Sequence, residues 1–545
     1  MSRASRRGIT AASFILVAGS AQAQRIAPVP PPCAIGKASQ TVALVVPPSS
    51  QIAVLPLVHE SDADRSAFLS IGLPSAVAER IIAAIPDLPV LGPRTKRPTT
   101  DDPAAMKDMG TALGSRFIVS GTVKESRSET SISVSLYDTR TGQRQWTKAF
   151  VYDSANALTI VRTIATEVAS RIANPLTPRQ SEVLAQSPTK SGGAFEWYIR
   201  GNAAFAGDAF ERAADAYRKA IRRDRAYPDA YAKLSLVDAA MMSEGSEKAT
   251  DGTVLKNELR AAATMAVQTD KNSALAWSAE ARARLLEGRP AAQWRQAFDR
   301  ALSLSGREPS ILEQYGIALA SIDDRSEAKA MLQRAGQGAP WRAEIITALA
   351  EIAAKEGNDE AACQMLNTAL ITDAFYGPAW ADRALLRSRH DDLRFAWADA
   401  ETAILVGNVM LGQSAAAIVD LKARDTTRAR ERLAEVWTDI QNRGSLGLRD
   451  GKTVAGALAL AGQSARAIDV LELVRPRLNL FASMLRDPNL DRLRQDPRFR
   501  SLITPPTNPA RESMGSGAKP TTRVAKSTGE VGFVAGAAPA QSLKR

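Results

Sequence analysis

A 34-residue register runs through the second half of this 545-residue chain and restricts what it can fold into. Leu312, Ile346 and Trp380 open three successive copies. Gly316, Ala350 and Ala384 stand four residues on, Ala328, Ala362 and Ala396 sixteen on, and Ala335, Ala369 and Ala403 twenty-three on. An earlier copy, Trp197, Gly201, Ala213, Tyr217 and Ala220, keeps the same offsets. A small residue at a fixed place in each of two antiparallel helices lets their backbones approach. Large residues such as Trp197, Tyr217, Leu332, Leu366 and Trp380 then fill the space between neighbouring pairs. Such a unit cannot bury its apolar face alone, so copies must stack into a solenoid.

Looser copies begin near Tyr231 and Trp277, and two more show second helices at Ala429–Leu433–Val436 and Ala467–Leu471–Val474. The pattern predicts about eight helix pairs over residues 194–480, with an extended loop at Ser243–Thr253. A closing segment at 481–502 presents Leu490, Leu493 and Phe499 to cap the last pair. Length and small-residue offsets together resemble the tetratricopeptide repeat (TPR). That resemblance implies a concave partner-binding groove lined by Tyr198, Asn202, Phe205, Glu313, Ile317, Glu344, Thr347, Glu351, Lys355, Leu385 and Arg389. Asn202 matches an Asn that chaperone-type repeats place on a peptide carboxylate, but Tyr198 stands where their Lys would be.

Residues 51–175 read differently. The run Ile52–Leu57 is a buried strand, and Leu73, Val77, Ile81 and Ile85 form a helical stripe. Leu88–Leu91 is a short strand, and a helix runs from Asp101–Pro103 to Gly114. Phe117–Val123 is a strand, and Ser131–Tyr137 pairs with Gln145–Tyr152 across the turn at Asp138–Gly142. Ala157–Ile172 closes the unit as a helix. The segments IAVLPL (52–57), FLSIGLPSAV (68–77), LGSRFIVSGTV (113–123) and YDTRTGQRQW (137–146) resemble the TolB amino-terminal-like domain, with one departure. Ile71 precedes Gly72 where relatives carry an acid. The resemblance implies a docking module for envelope components. The fold expected is therefore a small α/β domain, a mixed sheet with flanking helices, followed by an all-α TPR solenoid.

Met1–Gly8 is basic, Ile9–Ala18 apolar, and Ala21-Gln22-Ala23 a small-x-small site, so residues 1–23 read as a signal peptide. The chain is expected to be exported to the periplasm, the alternative being an inner-membrane anchor if the signal stays uncleaved. No other stretch approaches the ~18 apolar residues of a membrane span. Residues 24–50 are a Pro-rich linker and 503–545 a disordered basic tail. The formal charge is +12, of which the first 23 residues carry +3 and residues 503–545 carry +4. The body has no basic stripe interleaved with aromatics, which argues against nucleic acid. Cys33 and Cys363 are read as free thiols, although export permits a disulfide.

Chemistry finds little support. His59, with Glu60, Asp62 and Asp64, reads as a solvated loop, because hard-ion loops need Gly-punctuated ligand spacing. His390 precedes Asp391 and Asp392, either of which can cap a helix. Gly447–Thr453 lacks the first Gly and the preceding strand of a phosphate loop. No catalytic residue, metal or cofactor is expected, and the leading expectation is a non-enzymatic scaffold whose groove binds a peptide or helix of a partner protein. A regulatory subunit binding a small molecule in the α/β domain is the alternative. An unfamiliar hydrolase would need a cleft with carboxylates of perturbed pKa.

Overall fold

A computed structural model describes residues 30–35, 52–60, 65–93, 103–127, 129–173, 175–244, 252–306, 308–339, 342–443, 446–474 and 487–503. Residues 1–29, which include the stretch expected to be a signal peptide, residues 36–51 of the Pro-rich stretch, and residues 504–545 lie outside the described residues.

The amino-terminal unit is a mixed sheet in the order β3-β1-β4-β5-β6. β1 (Ile52–Val54) pairs in parallel with β3 (Val90–Leu91) and β4 (Phe117–Glu125). β4, β5 (Thr130–Asp138) and β6 (Gln143–Tyr152) form an antiparallel meander. The run expected as one strand over 52–57 is split at Pro56, which has no N–H for a ladder. β2 (Val58–His59) resumes pairing with β4 beyond it.

α1 begins at Leu69, four residues before the stripe suggested, and runs to Ala84 with Pro74 inside it. Pro74 cannot donate to the carbonyl of Ser70. That carbonyl accepts the N–H of Leu57 instead, at 2.8 Å, which pins the start of α1 to the end of the first strand run. α2 (Pro103–Leu113) covers one face of the sheet through Met106 and Leu113. α1 and α3 (Ala157–Ile172) cover the other. α4 (Pro178–Ala185) follows, opened by a Thr177–Gln180 capping box. Its Leu184 carbonyl accepts both Nε and Nη2 of Arg80 from α1, at 3.1 and 2.8 Å.

From Gly192 the chain is a TPR-like solenoid of paired helices. The first four pairs are α5 (Gly192–Ala206) with α6 (Phe210–Arg223), α7 (Pro228–Glu244) with α8 (Gly252–Thr269), α9 (Ala274–Leu286) with α10 (Ala291–Ser305), and α11 (Pro309–Ser321) with α12 (Arg325–Gly338). The next four are α13 (Ala343–Lys355) with α14 (Asp359–Thr372), α15 (Gly377–Arg389) with α16 (Leu393–Leu405), α17 (Val409–Lys422) with α18 (Thr426–Arg443), and α19 (Leu448–Leu460) with α20 (Ser464–Leu473). The register explains the packing. A side chain on Gly201 would overlap the Tyr217 ring, and one on Gly316 would overlap Leu332. A 3₁₀ turn, Pro488–Leu493, and α21 (Pro497–Ile503) bury Leu490, Leu493, Phe499 and Leu502 against the last pairs.

The cores of the sheet and of the first four pairs are one continuous apolar cluster, with α1 packed on α5 and Gly72 against Ile199. One feature departs from the sequence reading. Cys33 and Cys363, expected as free thiols, form a disulfide with a Cα–Cα distance of 5.9 Å across 330 residues of sequence. No local pattern can report a contact between residues so far apart. Residues 30–35 return from before the sheet and lie against α14 and α15.

Candidate functional site

The solenoid holds two other parts of its own chain. The first is α1. Gly72 lets its backbone reach α5, where any side chain at that position would overlap the carbonyl of Ile199. One helical stretch further on, Glu79 collects the polar groups of the first two pairs. Tyr198 Oη donates to it at 2.9 Å, Asn202 Nδ2 approaches its two oxygens at 3.3 and 3.4 Å, and Lys233 Nζ pairs with it at 2.6 Å. Asn202 Oδ1 accepts from Tyr217 Oη at 2.7 Å. Tyr198 and Asn202 are therefore buried beneath α1, at 3% and 4% exposure. Glu79→Ala is expected to cost about 1–3 kcal/mol, because it strips partners from groups already out of water. A urea titration followed at the tyrosines measures it, and an unchanged midpoint would show the contact to be idle.

The second is the strap of residues 30–35. Cys33 N–H donates to Asn367 Oδ1 and Asn367 Nδ2 donates to the Cys33 carbonyl, each at 2.9 Å. Arg387 Nη2 donates to the Pro31 carbonyl. Behind them Asp399, fully buried, accepts from Arg383 Nε and Nη2 at 2.9 and 2.7 Å and lies 3.2 Å from Arg387 Nε. Burial pushes the Asp399 carboxyl up, outweighing the pull of Arg383, and the same burial pushes Arg387 down.

Neither docking site was named from the sequence, yet the second left a trace there. At the register of Arg383 the two preceding repeats carry Tyr315 and Leu349. At that of Arg387 they carry Leu319 and Ala353, and at that of Asp399 they carry Met331 and Met365. One repeat replaces three apolar positions with charge, and the strap lies between that repeat and the one before it.

The remaining groove positions are spread over several environments. Phe205 is half-buried against Phe210. Glu313 is buried and pairs with Arg342 at 2.7 Å, while Glu344 lies 3.8 Å from the same arginine. Thr347 is wholly buried. Glu351 pairs with Arg449 of α19, which also reaches Asp382 at 3.4 Å, so α13, α15 and α19 are joined across the inside of the last four pairs. Burial pushes Asp382 up to about 7, against the pull of Lys452, Arg389 and Lys355. Lys355 reaches solvent, but the surrounding helices first, and Lys452 second, bring it down to about 8. Ile317 is 37% exposed, Leu385 is half-buried, and Arg389 is exposed 3.9 Å from Asp359.

Among the described residues no three or more His, Cys, Asp and Glu side chains are grouped to hold a metal ion, and no helix is long and apolar enough to cross a membrane. His59 Nε2 lies 3.0 Å from Ser66 Oγ, and His390 Nε2 lies 2.8 Å from Asp359. Asp392 stands at the start of α16 but makes no capping bond, and Asp391 adopts a left-handed φ of 58°. Gly447 is the N-cap of α19, and Leu448–Thr453 are helical rather than a loop around phosphate.

No family model matches the chain, and no curated protein matches it. Among solved structures it is similar to PilF of Pseudomonas aeruginosa, at 18% identity and a TM-score of 0.32, over 39% of this chain and 91% of that one. It is similar to YrrB, described as a TPR protein with an unusual peptide-binding site, at 18% identity and a TM-score of 0.24, over 35% and 92%. Yeast Tom70 matches at 12% identity and a TM-score of 0.37, over 64% and 82%.

Proposed function

We propose that this chain is an exported, periplasmic protein–protein interaction scaffold whose repeats bind a peptide or helix of a partner protein. What carries the reading is that the solenoid holds polypeptide in two forms already, a helix on α5 and α7 and an extended strap on α14 and α15. The repeat surface is thus chemically equipped for both. The positions that reach solvent for an outside partner are Ile317, Lys355 and Arg389, with Leu385, Phe205 and Glu344 half-buried and Glu344 3.8 Å from Arg342. Tyr198 and Asn202 are taken by Glu79 of α1, Glu313 and Glu351 by Arg342 and Arg449, and Thr347 is wholly buried. The α/β unit, similar in its four segments to the TolB amino-terminal domain, docks to an envelope component. A disulfide persists in an oxidising compartment, which agrees with export.

Crosslinking capture from the envelope fraction tests this, using the full chain and the full chain carrying Ile317→Asp, Lys355→Glu and Arg389→Glu, all at positions that reach solvent. The parent is expected to recover partners that the variant loses. Recovery of the same set by both would remove the groove as the recruiting surface. A mature amino terminus at Gln24 is the result expected for export, and an intact Met1 in the cytosol would overturn it.

A further inference from the structure

We propose that Asn367, Arg383 and Arg387 form a clamp for the main chain of an extended, proline-rich peptide, and that residues 30–35 are its resident occupant. In this reading, reduction of Cys33–Cys363 by a dithiol opens the clamp to an outside peptide. It deepens the scaffold function by naming a ligand class for one pair of repeats.

The contacts read backbone rather than side chains. Asn367 takes both the N–H and the C=O of Cys33, as a neighbouring strand would, and Arg387 takes the carbonyl of Pro31. Arg383 Nη1 donates to Asn367 Oδ1 at 2.9 Å, which fixes the amide with its oxygen toward the Cys33 N–H. Asp399 in turn holds both guanidiniums. The clamp is thus braced from behind and needs no help from the strap to keep its geometry.

Only Pro30 and Cys33 of the strap are buried, whereas Pro31, Pro32 and Ala34 face solvent. A spacing of three between buried positions is the repeat of a polyproline II helix, a conformation that three consecutive prolines favour and that loses little entropy on binding. The ligand class follows: Pro-x-x followed by a small residue, recognised through two carbonyls and one N–H. Arg387 Nη1 is also buried and has no acceptor among the described residues, so the clamp holds one more donor than this strap segment uses.

The disulfide makes occupancy conditional. A dithiol supplies two electrons and two protons, leaving thiols on Cys33 and Cys363 and becoming a disulfide itself. The strap is then held by hydrogen bonds alone and exchanges with peptides of the same form.

The test uses the full chain carrying Cys33→Trp, whose side chain is too large to re-enter the site and which leaves Cys363 as the single cysteine. The probe is Pro-Pro-Pro-Cys-Ala-Ile with its cysteine disulfide-bonded to 5-thio-2-nitrobenzoate. The Cys363 thiolate attacks the peptide sulfur, the old S–S bond breaks, and the coloured thiolate leaves with the electron pair. Release is expected to be roughly tenfold faster than with Gly-Gly-Gly-Cys-Ala-Ile, a preference of about 1.4 kcal/mol. The preference should vanish in Cys33→Trp/Asn367→Ala, with helix content and melting temperature checked to be equal. Equal rates for the two peptides, or a preference that survives Asn367→Ala, would overturn the clamp. Either failure would leave the envelope captures above unaffected, so the two readings are separable.

Discussion

Alanine at Asp399 is expected to destabilise the solenoid by about 3–5 kcal/mol, the cost of breaking a buried ion pair from one side. The reason lies in what stays behind. Arg383 and Arg387 are 3% and 1% exposed, and both guanidiniums are directed to this carboxylate. Without it, two positive charges remain in the helix interior, within an apolar cluster that includes Trp380, Leu366 and Leu411. The strap should feel the loss as well, because Arg383 orients Asn367 and Arg387 holds Pro31. Two measurements check this: the urea midpoint of oxidised protein, and the rate at which a dithiol reduces Cys33–Cys363. The midpoint should fall and the reduction should quicken. A midpoint within error of the parent would show that the three charges are not coupled as their distances imply.

Asp238→Asn is expected to act in the opposite direction and to depend on pH. Asp238 lies in α7 with no exposed surface, and neither carboxylate oxygen has a hydrogen-bond partner among the described residues. Burial, with Glu258 adding to it and Arg218 opposing, pushes its pKa up from 3.8 to about 8. Below pH 3.8 the acid is protonated in both the folded and unfolded chain and contributes no pH slope. Between 3.8 and about 8 the unfolded chain gives up the proton while the folded chain keeps it. Stability therefore falls as pH rises through this window, by up to ~1.4 kcal/mol per unit, and levels off above it. Asparagine keeps the shape and removes the titration. The variant should melt close to the parent at pH 4 and several degrees above it at pH 8. A melting difference that stays constant from pH 4 to pH 8 would refute the assignment.

The solenoid was legible because its signal is local and repeated. Small residues at crossings and large ones between pairs recur every 34 residues, so each copy supports the reading of the others. The start of α1 was not, because Pro74 suits the first turn of a helix. Only the N–H of Leu57, arriving from the strand before it, shows how Ser70 can lie inside α1. The groove positions could be counted from the register, but the register cannot report that α1 would cover Tyr198 and Asn202. Gly72 marks the contact: the α1 backbone lies there against the Ile199 carbonyl of α5, with no room for a side chain. Arg383, Arg387 and Asp399 stood in plain view as charges in apolar places, and the strap that Arg387 holds lies more than 300 residues away.

The bond between Cys33 and Cys363 makes most of the chain a closed covalent ring. The whole sheet unit and the first four helix pairs lie between its two ends, within a sequence separation of 330 residues. A protease that nicks any loop of that stretch opens the ring without releasing a fragment. The nicked protein should keep its mass on a non-reducing gel and divide only after a thiol is added. Damage between Cys33 and Cys363 is therefore held in place for as long as the surroundings stay oxidising.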